Sequence, residues 1–495
     1  MYKINKMRWR HQFLMGVFLI SLVGCENKMG YQDKEYTQVT VNDYDMKKYY
    51  VNGANPVITA DPYIIQDENG YYYAYGTSDR LNGYGFLAYK SKDLIEWEEV
   101  GTVYYTSKET WGIRDFWAPE VLKYKDQYYL HYTAKDQDGK IRIGMAVSDS
   151  AAGPFEDIKN EPFFDPGYNI IDSNILIDDE KMYLYFSRDC SENVIDNYHV
   201  SQTYVVEMNK EMDFIGEPIQ LITPELSWEL KSGDYRWNEA PEVIKHQDKY
   251  YLMYSGNFYN SRDYSLGYAV SDSPTGPFVK PENNRFLYVE DDWMHISGPG
   301  HHAVTTSPDE NQLYAVYHTH VNPLGGGQRQ LYVDKMGFRE DGSLFINGPS
   351  LSPQPKPSGS GDFIYLNDQI DSIEIKGDSV SDSKLLWDDE VVYHDENSDY
   401  KFKASGKTEI LINFKDRVSL TDILIYGDIN QESRPEINEI IIGSHKILRE
   451  IDWNAPSVPG EALIVSFEPE EVSRITIQVD NISDFAISEL IFLGE

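Results

Sequence analysis

Short apolar segments alternating with polar positions, and broken by turn residues, run through most of the chain; this is the pattern of half-buried β-strands. The pattern repeats. Ala118-Pro119-Glu120-Val121-Leu122-Lys123 returns 122 positions later as Ala240-Pro241-Glu242-Val243-Ile244-Lys245. At the same offset Tyr128-Tyr129-Leu130-His131-Tyr132 becomes Tyr250-Tyr251-Leu252-Met253-Tyr254, and, one position further on, Gly144-Met145-Ala146-Val147-Ser148-Asp149-Ser150 is answered by Gly267-Tyr268-Ala269-Val270-Ser271-Asp272-Ser273. Each block reads as strand, turn, strand.

Three fainter copies share this frame. They begin at Asp61-Pro62-Tyr63-Ile64, Asp172-Ser173-Asn174-Ile175 and His302-Ala303-Val304. Aligning strand starts puts Asp61, Ala118, Asp172, Ala240 and Ala303 at one position, spaced by 57, 54, 68 and 63 residues. Each interval accommodates a four-stranded antiparallel sheet with tight turns such as Asn69-Gly70 and Asp138-Gly139. Repetition of this kind with little helical periodicity predicts an all-β chain, with a five-bladed β-propeller over residues 50–351.

Residues 352–361 are rich in Pro, Gly and Ser and read as a linker. Apolar strand patterns resume at 409–414, 422–426, 437–442, 462–467, 475–479 and 489–492. They predict a β-sandwich over 362–495.

The N-terminus departs from this scheme. Lys3, Lys6, Arg8 and Arg10 precede an apolar run over 13–23 that ends in Leu22-Val23-Gly24-Cys25. This is the layout of a signal peptide over residues 1–25, with an apolar run too short to span a bilayer comfortably. A small residue before a cysteine resembles the lipobox of bacterial lipoproteins, so Cys25 is read as the lipid anchor. The expected location is the bacterial cell envelope, on its periplasmic or cell-surface face, with membrane contact through the anchor alone.

With Cys25 acylated, Cys190 is the one cysteine left, so an intramolecular disulfide is excluded and the core must carry stability. A formal net charge of -37 repels phosphate backbones, which argues against nucleic acid as a partner. The 39 tyrosines and 9 tryptophans suit strands, and they also suit a neutral ligand with apolar faces, such as a sugar.

A propeller gathers the starts of its innermost strands around one end of a central channel. Asp61 and Asp172 lie at that shared position, and Glu239 lies one residue before it in the fourth copy. Like charges that converge have their pKa values pushed apart, so one carboxyl group keeps its proton while another stays ionised. Cleavage of a glycosidic bond needs that division. Glu120 and Glu242, which follow Ala-Pro in two copies, read instead as a repeated structural feature. Trp117 occupies the position of Glu239 in the second copy, and His301 and His302 open the fifth copy facing the channel.

The stretches Ala60-Asp61-Pro62, Trp117-Ala118-Pro119-Glu120, Ile171-Asp172-Ser173, Glu239-Ala240-Pro241 and Gly298-Pro299-Gly300-His301-His302 together resemble glycoside hydrolase family 43 over roughly residues 50–345. The resemblance implies an inverting hydrolase with Asp61 as general base, Glu239 as general acid and Asp172 as the residue that tunes the acid. It further implies substrate contacts from Trp117 and Arg329, and a Ca²⁺ ion in the channel beside His301, with no organic cofactor. The implied substrate is plant polysaccharide containing arabinose or xylose, cleaved by an α-L-arabinofuranosidase or β-xylosidase; endo-arabinanase is the alternative activity. Two positions depart from the family pattern, with Ala240 where Gly is common and Ser173 where Pro is common. Residues 420–427, 472–480 and 485–494 resemble a discoidin-like, carbohydrate-binding module. A catalytically silent glycan-binding lipoprotein is the alternative from another class, and the three acids in register argue against it.

Overall fold

The computed structural model describes residues 40–41, 44–107, 110–289, 295–394, 399–428, 433–443, 446–449, 451, 458 and 460–495. Cys25 and the signal segment lie outside the described residues. No helix among the described residues is long and apolar enough to cross a membrane.

Five four-stranded antiparallel sheets follow one another along the chain, each in simple sequential strand order. Their first strands are Ala60–Gln66, Arg114–Tyr124, Ile170–Asp178, Asn238–His246 and Gly300–Thr306. Each of these packs on the first strand of the next sheet, and the fifth returns to the first, so the ring closes. This is a five-bladed β-propeller with the first strands around its axis. Its tyrosines are largely core residues whose hydroxyls find partners between blades. Tyr75 donates to the Ala151 carbonyl at 2.5 Å and Tyr185 to that of Pro274 at 2.7 Å.

Every first strand carries one extra residue at the same point. The register against the second strand slips between Ala60 and Tyr63, Trp117 and Glu120, Ile171 and Asn174, Glu239 and Glu242, and Gly300 and His302. At each bulge one residue takes left-handed backbone: Asp61, Ala118, Asp172, Ala240 and His301, with φ from 43° to 54°. Pro62, Pro119 and Pro241 follow directly, where the skipped register asks for no ladder N–H. The fifth equivalent position is therefore His301, two residues before Ala303. Gly300-His301-His302 carries neither the Pro nor the small residue that marks the other copies, so alignment on the apolar residues alone slides past it.

The stretch 352–361 is not a free tether. Gln354–Pro355 pairs with Tyr49–Tyr50, clasping the two ends of the propeller. Ser352 donates to the Gly460 carbonyl at 2.8 Å and Ser358 to Asp309 at 2.6 Å. Composition alone suggested flexibility, but these small polar side chains are buried and bonded.

In the C-terminal part, Asp422 lies opposite Ser466 on one side and Leu493 on the other, which makes 420–427 the middle of three adjoining segments. One face of this sheet, with Ile423, Ile425, Val465 and Phe492, closes the sandwich core. The other face, with Leu424, Tyr426, Ile464 and Leu493, packs on Tyr49, Phe363 and Tyr393. The sheet is thus buried on both sides. Lys48 and Tyr49 both bond Asp422, at 2.8 and 3.1 Å, and Arg339 makes a two-pronged pair with Glu390.

Candidate active site

The bulges aim side chains into the axial channel, and a repeated bond fixes each one. The residue opposite each bulge on the second strand sends its side chain to the bulge N–H of the next blade. Thr77 accepts from Ala118 at 2.9 Å, Thr133 from Asp172 at 3.1 Å, Ser255 from His301 at 2.9 Å, and His318 from Asp61 at 3.1 Å. Left-handed backbone is unfavourable for these side chains, and this ring of acceptors helps hold it. The junction from blade 3 to blade 4 differs. Its corresponding residue, Ser187, is fully buried, and its hydroxyl has no partner among the described residues. The Ala240 N–H turns instead to the Asp172 carboxylate, at 3.2 Å.

Asp61, Asp172 and Glu239 are all at least nine-tenths buried and feel one another's charge. Burial alone would raise Asp61. The Arg329 guanidinium, whose Nη1 donates to Oδ1 at 2.6 Å, is the foremost of the groups that outweigh it and hold the carboxyl well below the usual range; the His301 and His318 rings lie 3.3 and 3.5 Å from the same oxygen. Burial and the nearby Asp61 push Asp172 up to about 8. Burial and the Asp172 charge drive Glu239 well above the ordinary glutamate value, while the Tyr264 hydroxyl donates to it at 3.0 Å. Near neutral pH Asp61 is thus ionised, while Asp172 and Glu239 both hold protons.

The other residues singled out in the sequence fall as follows. Trp117 takes the place in blade 2 that Glu239 takes in blade 4; it is half-buried, with the Lys135 ammonium 4.9 Å from its ring centre. Arg329 reaches Asp61 directly and lies against the Tyr259 ring. Glu120 and Glu242 sit one step deeper in the channel, both bonded by the Asn174 amide at 3.1 and 2.8 Å. They share a donor, and Glu120 also feels the Asp172 charge above it.

His301 presents its Nδ1 to the Asp61 carboxylate at 3.3 Å. No group of three or more His, Cys, Asp or Glu side chains suited to a metal converges among the described residues, so a Ca²⁺ ion beside His301 would draw on main-chain carbonyls and water for most of its six to eight ligands.

Two side chains at this cluster have no sequence signal of their own. Tyr264 comes from a loop, stacks on His318 with ring centres 5.6 Å apart, and bonds Glu239. His318 occupies the second-strand position held by Thr or Ser in the other blades, and that oddity is the clue a repeat alignment offers.

The sequence profile described as "Glycosyl hydrolases family 43" matches residues 53–344. The chain belongs to glycosyl hydrolase family 43. It is accordingly a glycosidase. A crystal structure of a thermostable family-43 glycoside hydrolase is 44% identical, with a TM-score of 0.59, covering 63% of this chain and 99% of that one. A structure titled as an endo-1,4-β-xylanase of Bacteroides thetaiotaomicron is 31% identical, TM-score 0.53, covering 62% and 99%. Among curated proteins, a β-D-galactofuranosidase of Aspergillus niger is 28% identical over 56% of this chain and 78% of its own length. An arabinoxylan arabinofuranohydrolase of Paenibacillus polymyxa is 25% identical, covering 59% and 49%. The family match ends before the C-terminal sandwich.

Proposed function

We propose that this family 43 enzyme is an inverting, exo-acting glycosidase that removes α-L-arabinofuranosyl or β-xylosyl units from plant-type polysaccharide. The observation that carries the mechanism is the split between two buried carboxyl groups, with Asp61 kept ionised by Arg329 and Glu239 kept protonated beside Asp172. In this reading Glu239 hands its proton to the leaving oxygen while Asp61 draws a proton from the attacking water, so that the anomeric centre inverts in one step. Asp172 keeps Glu239 protonated and, through the Ala240 N–H, fixes the backbone next to it. Arg329 and His301 orient Asp61. The names of the similar proteins, which include an arabinofuranohydrolase and xylosidase/arabinosidases, support the pentose assignment.

The test is a panel of nitrophenyl pentosides and arabinoxylan, wild type beside Glu239→Gln, with the anomer of the first product followed by NMR. Release of the inverted anomer, and a loss in Glu239→Gln of about 10²- to 10⁴-fold on substrates with poor leaving groups, supports the assignment. A retained anomer defeats the inverting mechanism, and a wild-type protein inert on every substrate favours a silent glycan binder. The C-terminal sandwich, on this proposal, is a discoidin-like module that adds affinity for the polymer, and Cys25 is the acylated N-terminus.

A further inference from the structure

Beyond the propeller repeat, blades 3 and 4 contribute a separate three-stranded sheet: Val194–Ile195, Tyr198–Val200 and Tyr235–Arg236. It carries a line of aromatic rings on the side where the chain enters the Glu239 strand. His199 and Tyr235 have ring centres 4.6 Å apart, Tyr235 and Trp237 5.6 Å, and Trp237 and Phe258 5.3 Å, with planes inclined by 12°, 14° and 30°. The line continues from Phe258 to Tyr259 at 4.9 Å, and the Arg329 guanidinium lies 4.9 Å from the Tyr259 ring centre while bonding Asp61. One end of the row therefore stands at the base. Its middle member, Trp237, is two residues from the acid.

Tyr235, Phe258 and Tyr259 are 43%, 37% and 43% exposed, although they are among the largest apolar side chains. With Trp237, the first two line a groove of about 430 Å³ rimmed by the polar groups of Lys231, Ser232 and Ser261. Aromatic faces framed by hydroxyl and ammonium donors match a sugar ring, which offers C–H faces for stacking and hydroxyls at its edge. A net charge of -37 disfavours a polyanionic glycan. The general acid protonates the oxygen of the departing sugar, so a groove beside Glu239 lies on the leaving-group side.

We propose that this aromatic groove binds the aglycone part of the substrate, a neutral sugar chain that continues beyond the scissile bond. The inference rests on the assignment of Glu239 as general acid. It makes the enzyme a reader of the polymer that bears the cleaved unit, beyond the unit itself.

Kinetics of Tyr235→Ala and Phe258→Ala test this on two substrates: a nitrophenyl pentoside, whose aglycone is a single ring, and a neutral pentose oligosaccharide such as arabinoxylo-oligosaccharide, whose aglycone runs along the whole groove. The ratio of kcat/KM on the oligosaccharide to that on the nitrophenyl pentoside is expected to fall about tenfold in each variant, mostly through KM. An unchanged ratio overturns the proposal, whether both rates fall together or neither moves. Calorimetry of the same oligosaccharide with Glu239→Gln, with and without Phe258→Ala, separates the two readings: weaker binding on removing Phe258 supports the groove even if hydrolysis takes another course. Equal binding overturns it.

Discussion

The Asp172 carboxylate accepts the main-chain N–H of Ala240 at 3.2 Å, one residue beyond Glu239. At the other four junctions that N–H is held by a neutral side chain of the preceding blade. Here the fitting neutral partner, Ser187, stands idle while a carboxylate takes its place. The charge that raises Glu239 and the bond that orients its backbone thus belong to one side chain.

Asp172→Asn should separate these effects. Removing the negative charge lets Glu239 lose its proton more easily, so the alkaline limb of kcat/KM should move to lower pH, by about one unit, with kcat down by about 10- to 100-fold. A pH–rate profile checks this. An alkaline limb that stays in place would mean that Asp172 acts through geometry alone.

Arg329 governs the other limb. In Arg329→Met the burial of Asp61 is no longer outweighed, so its pKa should climb and the acid limb of kcat/KM should rise by about one to three pH units. Arg329→Lys should recover part of this shift, because charge returns without the planar fork. A uniform loss across pH would assign Arg329 to substrate binding only.

The deeper pair, Glu120 and Glu242, bears on stability. Burial raises Glu242 to about 8, against an ordinary value near 4.5. Between those values the native state holds more protons than the unfolded chain, so stability declines as pH rises from about 5 to about 8. Glu242→Gln keeps an acceptor for Asn174 and removes the ionisation. Its Tm, measured from pH 5 to 9, should vary less than that of wild type and exceed it at the alkaline end.

The three acids were legible because the repeat places them in register, and register survives divergence when the surrounding strands keep their apolar alternation. His301 shows the limit: its copy keeps the bulge but has lost the residues that advertise it. The linker misled for a related reason, since Ser352 and Ser358 look solvent-seeking until their partners Gly460 and Asp309 arrive from distant parts of the chain. The aromatic row was invisible, being assembled from residues 199, 235, 237, 258 and 259 by tertiary folding alone.

The packed junction also changes the outlook for truncation. Removing residues 362–495 would uncover Tyr49 and leave Lys48 and Arg339 without Asp422 and Glu390. A fragment ending at residue 361 should therefore have a lower Tm and a greater tendency to aggregate than the full chain, although all three acids remain. Thermal melts and size-exclusion chromatography check this. A fragment that melts like the full chain would show that the sandwich is a passive appendage.

For the anchor, Cys25→Ser should release the protein from membrane fractions without changing hydrolysis of nitrophenyl pentosides, because two or more acyl chains bind far more firmly than one. Fractionation decides it. A variant that stays in the membrane would mean that the apolar run over 13–23 remains as an uncleaved helix.

The clasp between Tyr49–Tyr50 and Gln354–Pro355 sets an order of events for a chain that emerges N-terminus first. Blades can form one after another from local hairpins, but the two ends of the propeller stay unclasped until the second clasp strand is available. Tyr49 then waits again for Asp422, 373 positions downstream, and for Leu493 near the end of the chain. Loop closure over such distances is slow compared with hairpin formation. Tyr49 and Tyr50, synthesised before any blade, are thus among the last residues to be buried, and a chaperone that shields this segment during synthesis would protect the seam between propeller and sandwich.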